Sequence, residues 1–426
     1  TIPNSQNFPQ FSQADIISEM KKVSNIDISD FRFYPAIQNR PNEIIKIESE
    51  ENGIVLTFGT VARKALLSYT HETSLHLYKP ADATVDTLYL HINIWTDDIF
   101  RVVFSKEKKI SNPFSGLPEN ARMLIAKPEK VEFTLDETEN KITLTTSKTE
   151  ITVDKKTTRI SAKFIDGKEF YSQKKQDFRT GDIHDLALAD SDNDYACFEA
   201  LELESDEIIY GLGERFDSLT RNGRTVDFHN KDAVGTTSRR AYINIPFYLS
   251  TKGYGLFLNS GAKTDWQIAT TDLSALQFAV LDSQLDYFVI GGKTPKDIIK
   301  GYCSLTGFSK LPPLWSFGLW MSRNSYVSWD VVDDIAKKVR ENDIPCDVLH
   351  LDTAWFNRDW NCDLKFSEER FPNPEENIDR YKKDGFKISL WQYNFIPPND
   401  DNEHYHEAVK YGYLSKDKDG NPYQLP

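Results

Sequence analysis

The sequence lacks the features of a membrane protein. None of its apolar runs approaches the roughly 18 consecutive residues that a membrane-spanning helix needs, and its first residues do not form a charged-then-apolar leader. It also contains no Asn-x-Ser/Thr acceptor site for N-glycosylation. These absences predict a cytoplasmic protein with no membrane partner, while a leader removed before this sequence begins leaves secretion open as an alternative.

Cysteine is scarce, and its spacing is irregular. The four cysteines lie far apart or inside apolar runs, and no two of them form a Cys-x-x-Cys pair. Such spacing favours neither a zinc site nor a disulfide framework. We therefore expect no metal, and buried free thiols at Cys197, Cys303, Cys346 and Cys362.

Basic residues are fewer than acidic residues. Lys and Arg total 51 against 65 Asp and Glu, which gives a formal net charge of -14 at pH 7, and the basic residues are interspersed with acids. A nucleic-acid partner needs clustered Lys and Arg. The charge therefore disfavours nucleic acid and favours a neutral or cationic small molecule.

Apolar and aromatic residues are abundant. Hydrophobic residues make up 39% of the chain and aromatic residues 12%, as is typical of a folded globular protein. A length of 426 residues exceeds what one hydrophobic core usually organises, so we expect two or three domains.

Short runs that alternate between apolar and polar residues fill most of the first two thirds of the chain. Examples are IVLTF at 54–58 and LYLHINIW at 88–95. Period-two alternation, with turn residues between the runs, predicts packed antiparallel sheets. We therefore predict a large β-sandwich domain over 1–293, with one early helix at 12–24.

The pattern changes at residue 294. A capping Thr, an early Pro and a terminal Gly predict a helix over 294–307, within a linker over 294–313. The part over 314–426 contains three apolar runs that do not alternate, with an amphipathic helix predicted between each pair. The runs are WSFGLWMS, CDVLHLDTAWF and FKISLWQYNF at 315–322, 346–356 and 386–395, and the helices lie at 328–343 and 373–386.

This β-α-β-α-β order predicts an α/β domain with a parallel sheet, either doubly wound or the opening of a (β/α)₈ TIM barrel. No glycine-rich phosphate-binding motif follows the first strand, so a nucleotide cofactor is not expected. A complete barrel takes about 250 residues, and three β/α units make up less than half of one. We expect that a second polypeptide completes the barrel or that the sequence is a fragment, and a homo-oligomer stays open.

The carboxyl ends of the three predicted parallel strands carry polar and aromatic residues. Tyr326 follows the first strand, Asp352, Thr353 and Trp355 follow the second, and Trp391 ends the third. Ligands of α/β domains bind at this edge. A carboxylate that bonds to hydroxyls beside an indole that covers an apolar face suits a sugar. The alternatives are a capping role for Asp352 and a core position for Trp355.

His350 lies two residues before Asp352 and therefore on the same side of the strand, where the two could hold a metal. A lone histidine in a buried strand is more often a core residue with satisfied hydrogen bonds. We favour that alternative and expect no metal there.

Several motifs resemble one enzyme family. They include YGLGERF at 210–216, NGRTVDFHNKD at 222–232, NIPFYLSTKGYGLFLN at 244–259 and DVLHLDTAWF at 347–356. In this order they resemble glycoside hydrolase family 31, most of all its bacterial α-xylosidase and α-glucosidase members. The resemblance is strong over about 200–426 and covers the β-rich part before it in layout only.

The resemblance implies a β-sandwich followed by a (β/α)₈ catalytic barrel. It implies an O-glycosyl hydrolase that removes α-linked terminal sugars from an oligosaccharide or α-glycoside by retaining double displacement, without a metal or organic cofactor. Asp232 is similar to a sandwich-domain residue that binds sugar hydroxyls. Asp352 is similar to the residue that binds the terminal sugar, and Trp391 to its aromatic wall.

The resemblance also places the catalytic groups elsewhere. The family's two catalytic aspartates lie on later strands, the nucleophile in a K-x-D-x-x-E motif, and no such motif occurs after residue 391. We therefore expect no catalytic residue in this chain.

Two questions stay open. Bulky residues follow the sugar-binding aspartate in the family's α-xylosidases, whereas Thr353 and Ala354 follow Asp352 here, which favours an α-glucoside or α-galactoside over an α-xyloside. The alternatives to a hydrolase are a catalytically incomplete carbohydrate-binding or interaction module and a transglycosidase that shares the same site.

Overall fold

The computed structural model describes most of the chain. The described residues are 37–64, 87–112, 122–128, 130–174, 186–191, 194–230, 241–270, 272–358, 360, 362–398, 401–417 and 419–424. The chain divides into two compact units, Thr1–Phe308 and Ser309–Pro426. The helix predicted at 12–24 and the candidate residue Asp232 lie outside the described residues.

Antiparallel sheet dominates the first unit. Its described strands are β1 (Ile37–Glu50), β2 (Gly53–Lys64), β3 (Thr87–Thr96), β4 (Ile99–Ser105), β5 (Thr134–Glu137), β6 (Lys141–Thr145), β7 (Thr149–Asp154), β8 (Ile160–Phe164), β9 (Glu169–Ser172), β10 (Ala187–Ser191), β11 (Asp194–Glu202), β12 (Ile209–Gly211), β13 (Arg224–Phe228), β14 (Phe247–Ser250), β15 (Tyr254–Leu258), β16 (Thr264–Ile268), β17 (Ala275–Val280) and β18 (Gln284–Gly291). A thirteen-stranded sheet has the order β12-β14-β15-β18-β4-β3-β2-β1-β10-β11-β17-β16-β13. A five-stranded sheet has the order β5-β6-β7-β8-β9.

The long sheet folds over on itself, as contacts between aromatic side chains of strands far apart in its order show. Trp266 on β16 packs edge-on against Tyr248 on β14, with 6.0 Å between ring centroids. Phe278 on β17 meets Tyr287 on β18 in the same way, also at 6.0 Å. Apolar side chains fill the space between the two halves of the sheet. These contacts confirm the predicted β-sandwich.

A buried polar network crosses this core. The fully buried carboxylate of Glu199 accepts hydrogen bonds from the Tyr287 hydroxyl at 2.8 Å, the Gln173 amide at 2.7 Å and the Ala200 N–H at 2.9 Å. The Tyr171 hydroxyl meets that of Tyr287 at 2.7 Å. Burial raises the pKa of Glu199 to about 7, although the three hydrogen bonds act in the opposite direction. The carboxyl group therefore gains a proton in mildly acidic solution.

Helix α1 (Pro295–Thr306) follows β18 and belongs to the first unit. Thr294 and Asp297 cap it reciprocally, since the side chain of each accepts a hydrogen bond from the backbone N–H of the other. The helix packs against β15 and β18. The predicted helix is confirmed, and α1 lies in the first unit, because the division between the units falls after Phe308.

The second unit contains parallel β/α units. Its described elements are β19 (Trp320–Met321), α2 (Trp329–Glu341), β20 (Val348–Leu351), α3 (Pro374–Lys383), β21 (Lys387–Leu390) and α4 (Glu403–Tyr411). The three strands form a parallel sheet in the order β19-β20-β21. Apolar residues of α2 and α3, including Trp329 and Tyr381, share one core with Leu349 and Leu351 of β20. The predicted β-α-β-α-β order is confirmed.

The first apolar run differs from its prediction. The sequence predicts one buried strand over 315–322, but Leu314–Phe317 form a 3₁₀-helix, and of this run Trp320–Met321 pair as strand. The Trp320 indole N–H donates to the Ser316 carbonyl at 3.1 Å, which holds the turn. Local hydrogen bonds therefore compete with sheet pairing here. As a result, β19 is short and partly exposed, not buried on both faces.

All four cysteines are free. Cys197, Cys346 and Cys362 are buried, as predicted, and Cys303 is half-buried. Over the described ranges, no helix has the length and apolar character needed to cross a membrane. In that same part of the chain, no three His, Cys, Asp or Glu side chains are grouped as metal ligands would be.

Candidate functional site

Two candidate residues are neighbours at the carboxyl edge of the parallel sheet. Leu351 on β20 pairs with Leu390 on β21, and the Trp391 N–H donates to the Leu351 carbonyl at 2.8 Å. Asp352 and Trp391 are therefore the next residues on adjacent strands. Ligands of α/β domains bind beyond this edge. The fold thus brings together a carboxylate-bearing and an indole-bearing residue at the position that the sequence predicts.

Side-chain alternation predicts one face for these two residues, although the Trp391 ring also meets the core residue Phe356 at 6.1 Å. Leu349 belongs to the core beneath the helices, whereas His350 and Ser389 share the opposite face, with 3.0 Å between His350 Nδ1 and Ser389 Oγ. Continued alternation predicts that face for Asp352 and Trp391 as well. His350 is hydrogen-bonded within the sheet, as expected of a satisfied histidine.

Asp352 combines a capping role with an accessible oxygen. It caps the short 3₁₀-helix Thr353–Trp355, because Oδ1 accepts a hydrogen bond from the Thr353 N–H at 2.8 Å. The residue is half-buried, and no described residue donates a hydrogen bond to Oδ2. One oxygen therefore fixes the orientation of the carboxylate, and the other can accept a hydrogen bond from a ligand hydroxyl.

Three other candidates are enclosed by the protein. Thr353 and Trp355 are each 4% exposed, and Tyr326 is 1% exposed. The Trp355 indole N–H donates to the Trp391 carbonyl at 2.7 Å, and the Thr353 hydroxyl lies 3.4 Å from that of Ser325. These contacts hold the strand ends in position. Direct contact between any of the three and a sugar stays a prediction, as does the role of Asp232.

Tyr326 has one unusual feature. Its hydroxyl is buried and has no hydrogen-bond partner among the described residues. The Arg323 guanidinium lies 5.0 Å from the centre of the ring, and burial raises the pKa of the phenol. Buried hydroxyls are normally paired, so the Tyr326 hydroxyl is an exception in the described part of the second unit.

A group of aromatic residues lies beside Trp391. Trp391 and Tyr393 stack with 5.2 Å between ring centroids and 27° between planes. Trp360 stands almost perpendicular to both, at 75° and 74°, and Phe395 meets Tyr393 edge-on at 5.6 Å. We call these four residues the aromatic corner. Trp360 is 57% exposed and Phe395 50% exposed.

Trp360 is hard to find from sequence because its neighbours form no periodic pattern. It lies in the polar stretch RDWNCD at 358–363, and a tryptophan in such a stretch is the one signal available. Its contact with Trp391 depends on how two separate loops pack in the fold.

A sheet-rich unit followed by parallel β/α units defines the architectural class of this protein. Residues 89–266 match the Glycosyl hydrolase 31 N-terminal galactose mutarotase-like domain. Residues 309–425, which include Asp352 and Trp391, match the Glycosyl hydrolases family 31 TIM-barrel domain. The chain belongs to glycoside hydrolase family 31, as its motifs indicate.

Curated relatives carry the names of α-glycosidases. Alpha-xylosidase XylQ of Lactiplantibacillus pentosus is 37% identical over 228 residues, which cover 53% of this chain and 30% of the relative. Alpha-glucosidase 2 of Bacillus thermoamyloliquefaciens is 29% identical over 347 residues, which cover 79% of this chain and 41% of the relative. The chain therefore spans less than half the length of these two relatives.

Solved structures share the fold. A Flavobacterium johnsoniae family 31 dextranase in complex with isomaltotriose aligns over 91% of this chain and 43% of its own, with a TM-score of 0.71 and 21% identity. A family 31 α-xylosidase from a soil metagenome, in complex with xylose, aligns over 89% of this chain and 51% of its own, with a TM-score of 0.68 and 19% identity. At these identities the similarity establishes the architecture.

Proposed function

We propose that this chain forms the sandwich and the first β/α units of a retaining, exo-acting α-glycosidase that hydrolyses α-linked terminal sugars. The observation that carries the proposal is the adjacency of Asp352 and Trp391 at the strand ends, inside the segment that matches the family 31 barrel. The relatives named α-xylosidase and α-glucosidase support it.

The strand ends supply the binding chemistry. Oδ2 of Asp352 accepts hydrogen bonds from hydroxyls of the terminal sugar, and a charged acceptor makes such bonds stronger than neutral ones. The Trp391 ring covers the apolar face of the same sugar. Thr353 and Trp355 hold these two groups in place. Asp232 and Tyr326 complete the proposed binding set, Asp232 by resemblance and Tyr326 through its unpaired hydroxyl.

Bond cleavage requires groups beyond this set. Retaining hydrolysis uses two carboxyl groups about 5 Å apart, of which one attacks the anomeric carbon and the other protonates the leaving oxygen and then activates water. We assign neither role to Asp352, because it caps a helix and binds the sugar. Both catalytic groups are proposed to lie on later barrel strands, supplied by a continuation of the chain or by a second polypeptide.

The residues after Asp352 suggest the class of sugar. Thr353 and Ala354 are small and lie in the buried 3₁₀-helix, at the position where bulky residues characterise the α-xylosidases of the family. An α-glucoside or α-galactoside, whose sugar carries a hydroxymethyl group, is therefore the proposed substrate.

Asp352→Asn tests the proposal. The amide oxygen can still cap the helix, but the charge that strengthens two sugar hydrogen bonds is lost. We expect kcat/KM for an aryl α-glucoside to fall about 100-fold, which corresponds to roughly 3 kcal/mol. The assay uses the natural protein, isolated with any polypeptide that accompanies it.

The matched control is Asp384→Asn, an exposed aspartate at the end of α3, which should leave kcat/KM unchanged. An unchanged kcat/KM in Asp352→Asn would contradict the proposed role. An aryl α-xyloside is measured in parallel, and an exclusive preference for it would overturn the hexoside assignment.

A second candidate is a catalytically incomplete carbohydrate-binding module. Such a module binds the sugar without turnover, so the wild-type assay distinguishes the two. Turnover by the natural protein supports the enzyme, and sugar binding without turnover supports the module.

A further inference from the structure

We propose that Arg215 and Asn244 are positioning residues for the sugar-binding carboxylate of Asp232. A chain of hydrogen bonds runs from Arg215 through Asn244 to Asn230, which precedes Asp232 by two positions. These three residues are described, whereas Asp232 itself lies outside the described residues. This inference rests on the proposed function, which gives Asp232 its role, and names the residues that hold the segment in front of it.

The chain of hydrogen bonds joins three motifs that lie apart in the sequence. They are YGLGERF at 210–216 with Arg215, NGRTVDFHNKD at 222–232 with Asn230, and NIPFYLSTKGYGLFLN at 244–259 with Asn244. The first and third run side by side in the fold, since the Glu214 N–H donates to the Ile243 carbonyl at 3.0 Å. The fold of the first unit therefore brings three polar side chains together that no local pattern connects.

The turn before Arg215 has an unusual backbone. Gly211, Leu212 and Gly213 have φ angles of 113°, 62° and 85°, a region that non-glycine residues rarely adopt. A Cβ atom at Gly213 would lie 2.2 Å from the Ile243 carbonyl oxygen, so the two segments approach more closely than a side chain allows. Arg215, two residues further on, therefore starts from a closely packed backbone.

A second arginine holds this turn. Arg221 is 5% exposed, and its guanidinium donates to the Gly211 carbonyl at 2.7 Å and to the Gly213 carbonyl at 3.3 Å. It also pairs with Asp217 at 2.5 Å. The guanidinium carries five N–H donors in one rigid plane, so one buried side chain fixes several carbonyl groups. Arg221 thus secures the turn, and Arg215 makes its contacts further along.

Arg215 reaches the end of β13. Its Nη2 donates to the Asp227 carbonyl at 3.2 Å and to the side-chain oxygen of Asn244, and its guanidinium lies 5.7 Å from the centre of the Phe228 ring. Asp227 and Phe228 are the last two residues of β13. Hydrogen bonds from a charged donor are stronger than neutral ones. One half-buried side chain therefore fixes both the strand end and Asn244.

Arg215 also sets the direction of these hydrogen bonds. A guanidinium can only donate, so Asn244 turns its oxygen toward Arg215 and its amide nitrogen away from it. This nitrogen, Nδ2, donates to the side-chain oxygen of Asn230 at 2.6 Å. Asn230 is exposed and follows the last residue of β13 by two positions. The order that begins at Arg215 therefore continues past the strand into the segment that leads to Asp232.

Order in this segment bears on sugar binding. Two peptide units span at most about 7 Å, so a fixed Asn230 restricts where the Asp232 backbone can lie. Fixing a flexible segment costs conformational entropy, and a segment that is ordered before the ligand arrives spares the complex that cost. The alternative is a purely structural role for Arg215, in which its loss would act on the fold and not through Asp232.

A double-mutant cycle distinguishes these two roles. Arg215→Met keeps the apolar stem and removes the guanidinium, and we expect kcat/KM for an aryl α-glucoside to fall about tenfold, mainly through a higher KM. In an Asp232→Ala background the same substitution should lower kcat/KM by less than about twofold, because no carboxylate is left to position. The assay uses the natural protein, isolated with any polypeptide that accompanies it.

Asn244→Asp separates positioning from folding. The carboxylate still accepts the hydrogen bond from Arg215 and adds an ion pair, so Tm should not fall. It cannot donate to Asn230, so the second link is lost, and we expect kcat/KM to fall about tenfold although the fold is intact. Arg224→Met is the matched control, because Arg224 is an exposed arginine on the same strand, β13. It should leave kcat/KM unchanged.

The outcomes separate this proposal from the proposed function. Equal loss from Arg215→Met in both backgrounds would overturn positioning, and so would an unchanged kcat/KM in Asn244→Asp or in Asp232→Ala. If the wild type does not turn over the substrate, the glycosidase proposal fails. Calorimetry with glucose then decides the positioning role: Arg215→Met should weaken binding about tenfold, but not in the Asp232→Ala background, and an equal effect in both, or none, would refute it.

Discussion

Asp352 divides its two oxygens between structure and binding. Oδ1 caps the 3₁₀-helix Thr353–Trp355, and Oδ2 has no partner among the described residues. The sequence predicts capping and sugar binding as alternatives, whereas the structure makes both available to one side chain. The position of Asp352 at the strand end can be predicted from an apolar run that stops on an aspartate. That Oδ2 has no partner cannot be predicted, because this depends on the direction of the backbone after the strand.

Glu199 gives the first prediction at the scale of the residue. Burial raises its pKa from 4.5 to about 7, so between these values the folded chain keeps a proton that the unfolded chain has released. The free energy of unfolding should therefore fall by roughly 3 kcal/mol as pH rises through this window, and Glu199 should add no slope above it. Glu199→Gln cannot ionise and should remove this slope in urea unfolding at several pH values.

The control for this prediction is Glu202→Gln, on the same strand. Because Glu202 is not part of the Tyr287 network, its substitution should leave the pH dependence as it is in the wild type. If the slope persists in Glu199→Gln, another group is responsible for it.

At the scale of the element, residues that cap a helix can be recognised in the sequence, whereas competition between a turn and a strand cannot. Helix α1 can be predicted from the sequence because the signals for its ends are local. Thr294 and Pro295 mark its start, and Gly307 follows its last residue. The run over 315–322 is predicted poorly because hydrogen bonds of Ser316 and Trp320 favour a turn over strand pairing. Hydropathy alone does not report this competition.

Thr294→Ala tests the capping box of α1. The substitution removes the side-chain acceptor for the Asp297 N–H, so that donor keeps its contact with the Thr294 backbone carbonyl at 3.0 Å and loses the contact with the Thr294 hydroxyl. We expect the free energy of unfolding of the first unit to fall by about 1 kcal/mol. Denaturant unfolding followed by circular dichroism measures this change.

Thr294→Ser keeps the hydroxyl and should retain most of the stability, which makes it the matched control. Equal stability of the alanine variant and the wild type would show that water replaces the cap at no cost.

The aromatic corner also belongs to the element scale. Trp391 can be predicted because it ends a strand, but Trp360 cannot, since it lies in a loop without periodicity. Its position depends on left-handed backbone angles at Trp360 and Cys362 and on a hydrogen bond from Tyr393. Loops without a periodic pattern are where reading a sequence by pattern reaches its limit.

At the scale of the whole molecule, the order of elements carries most of the information. Alternating runs predict the sandwich, and unbroken apolar runs with helices between them predict the parallel β/α units. In the second unit, Leu311 is 92% exposed, Leu314 87% and Phe317 69%, and β19 is an edge strand. These three residues precede β19 in the chain, and exposed apolar side chains and an open sheet edge are both typical of a surface that other structure covers. They support the proposal that further barrel strands pack there.

Trapping the covalent intermediate is the measurement that tests the central claim most directly. A retaining glycosidase forms an ester between its nucleophilic carboxylate and the sugar, and a fluorinated substrate that reacts slowly in the second step allows the ester to accumulate. Peptide mass spectrometry then locates it. We predict that the labelled peptide lies outside residues 1–426, in a continuation of the chain or in a second polypeptide. A label on Asp352, or on any other carboxylate of this sequence, would contradict the account.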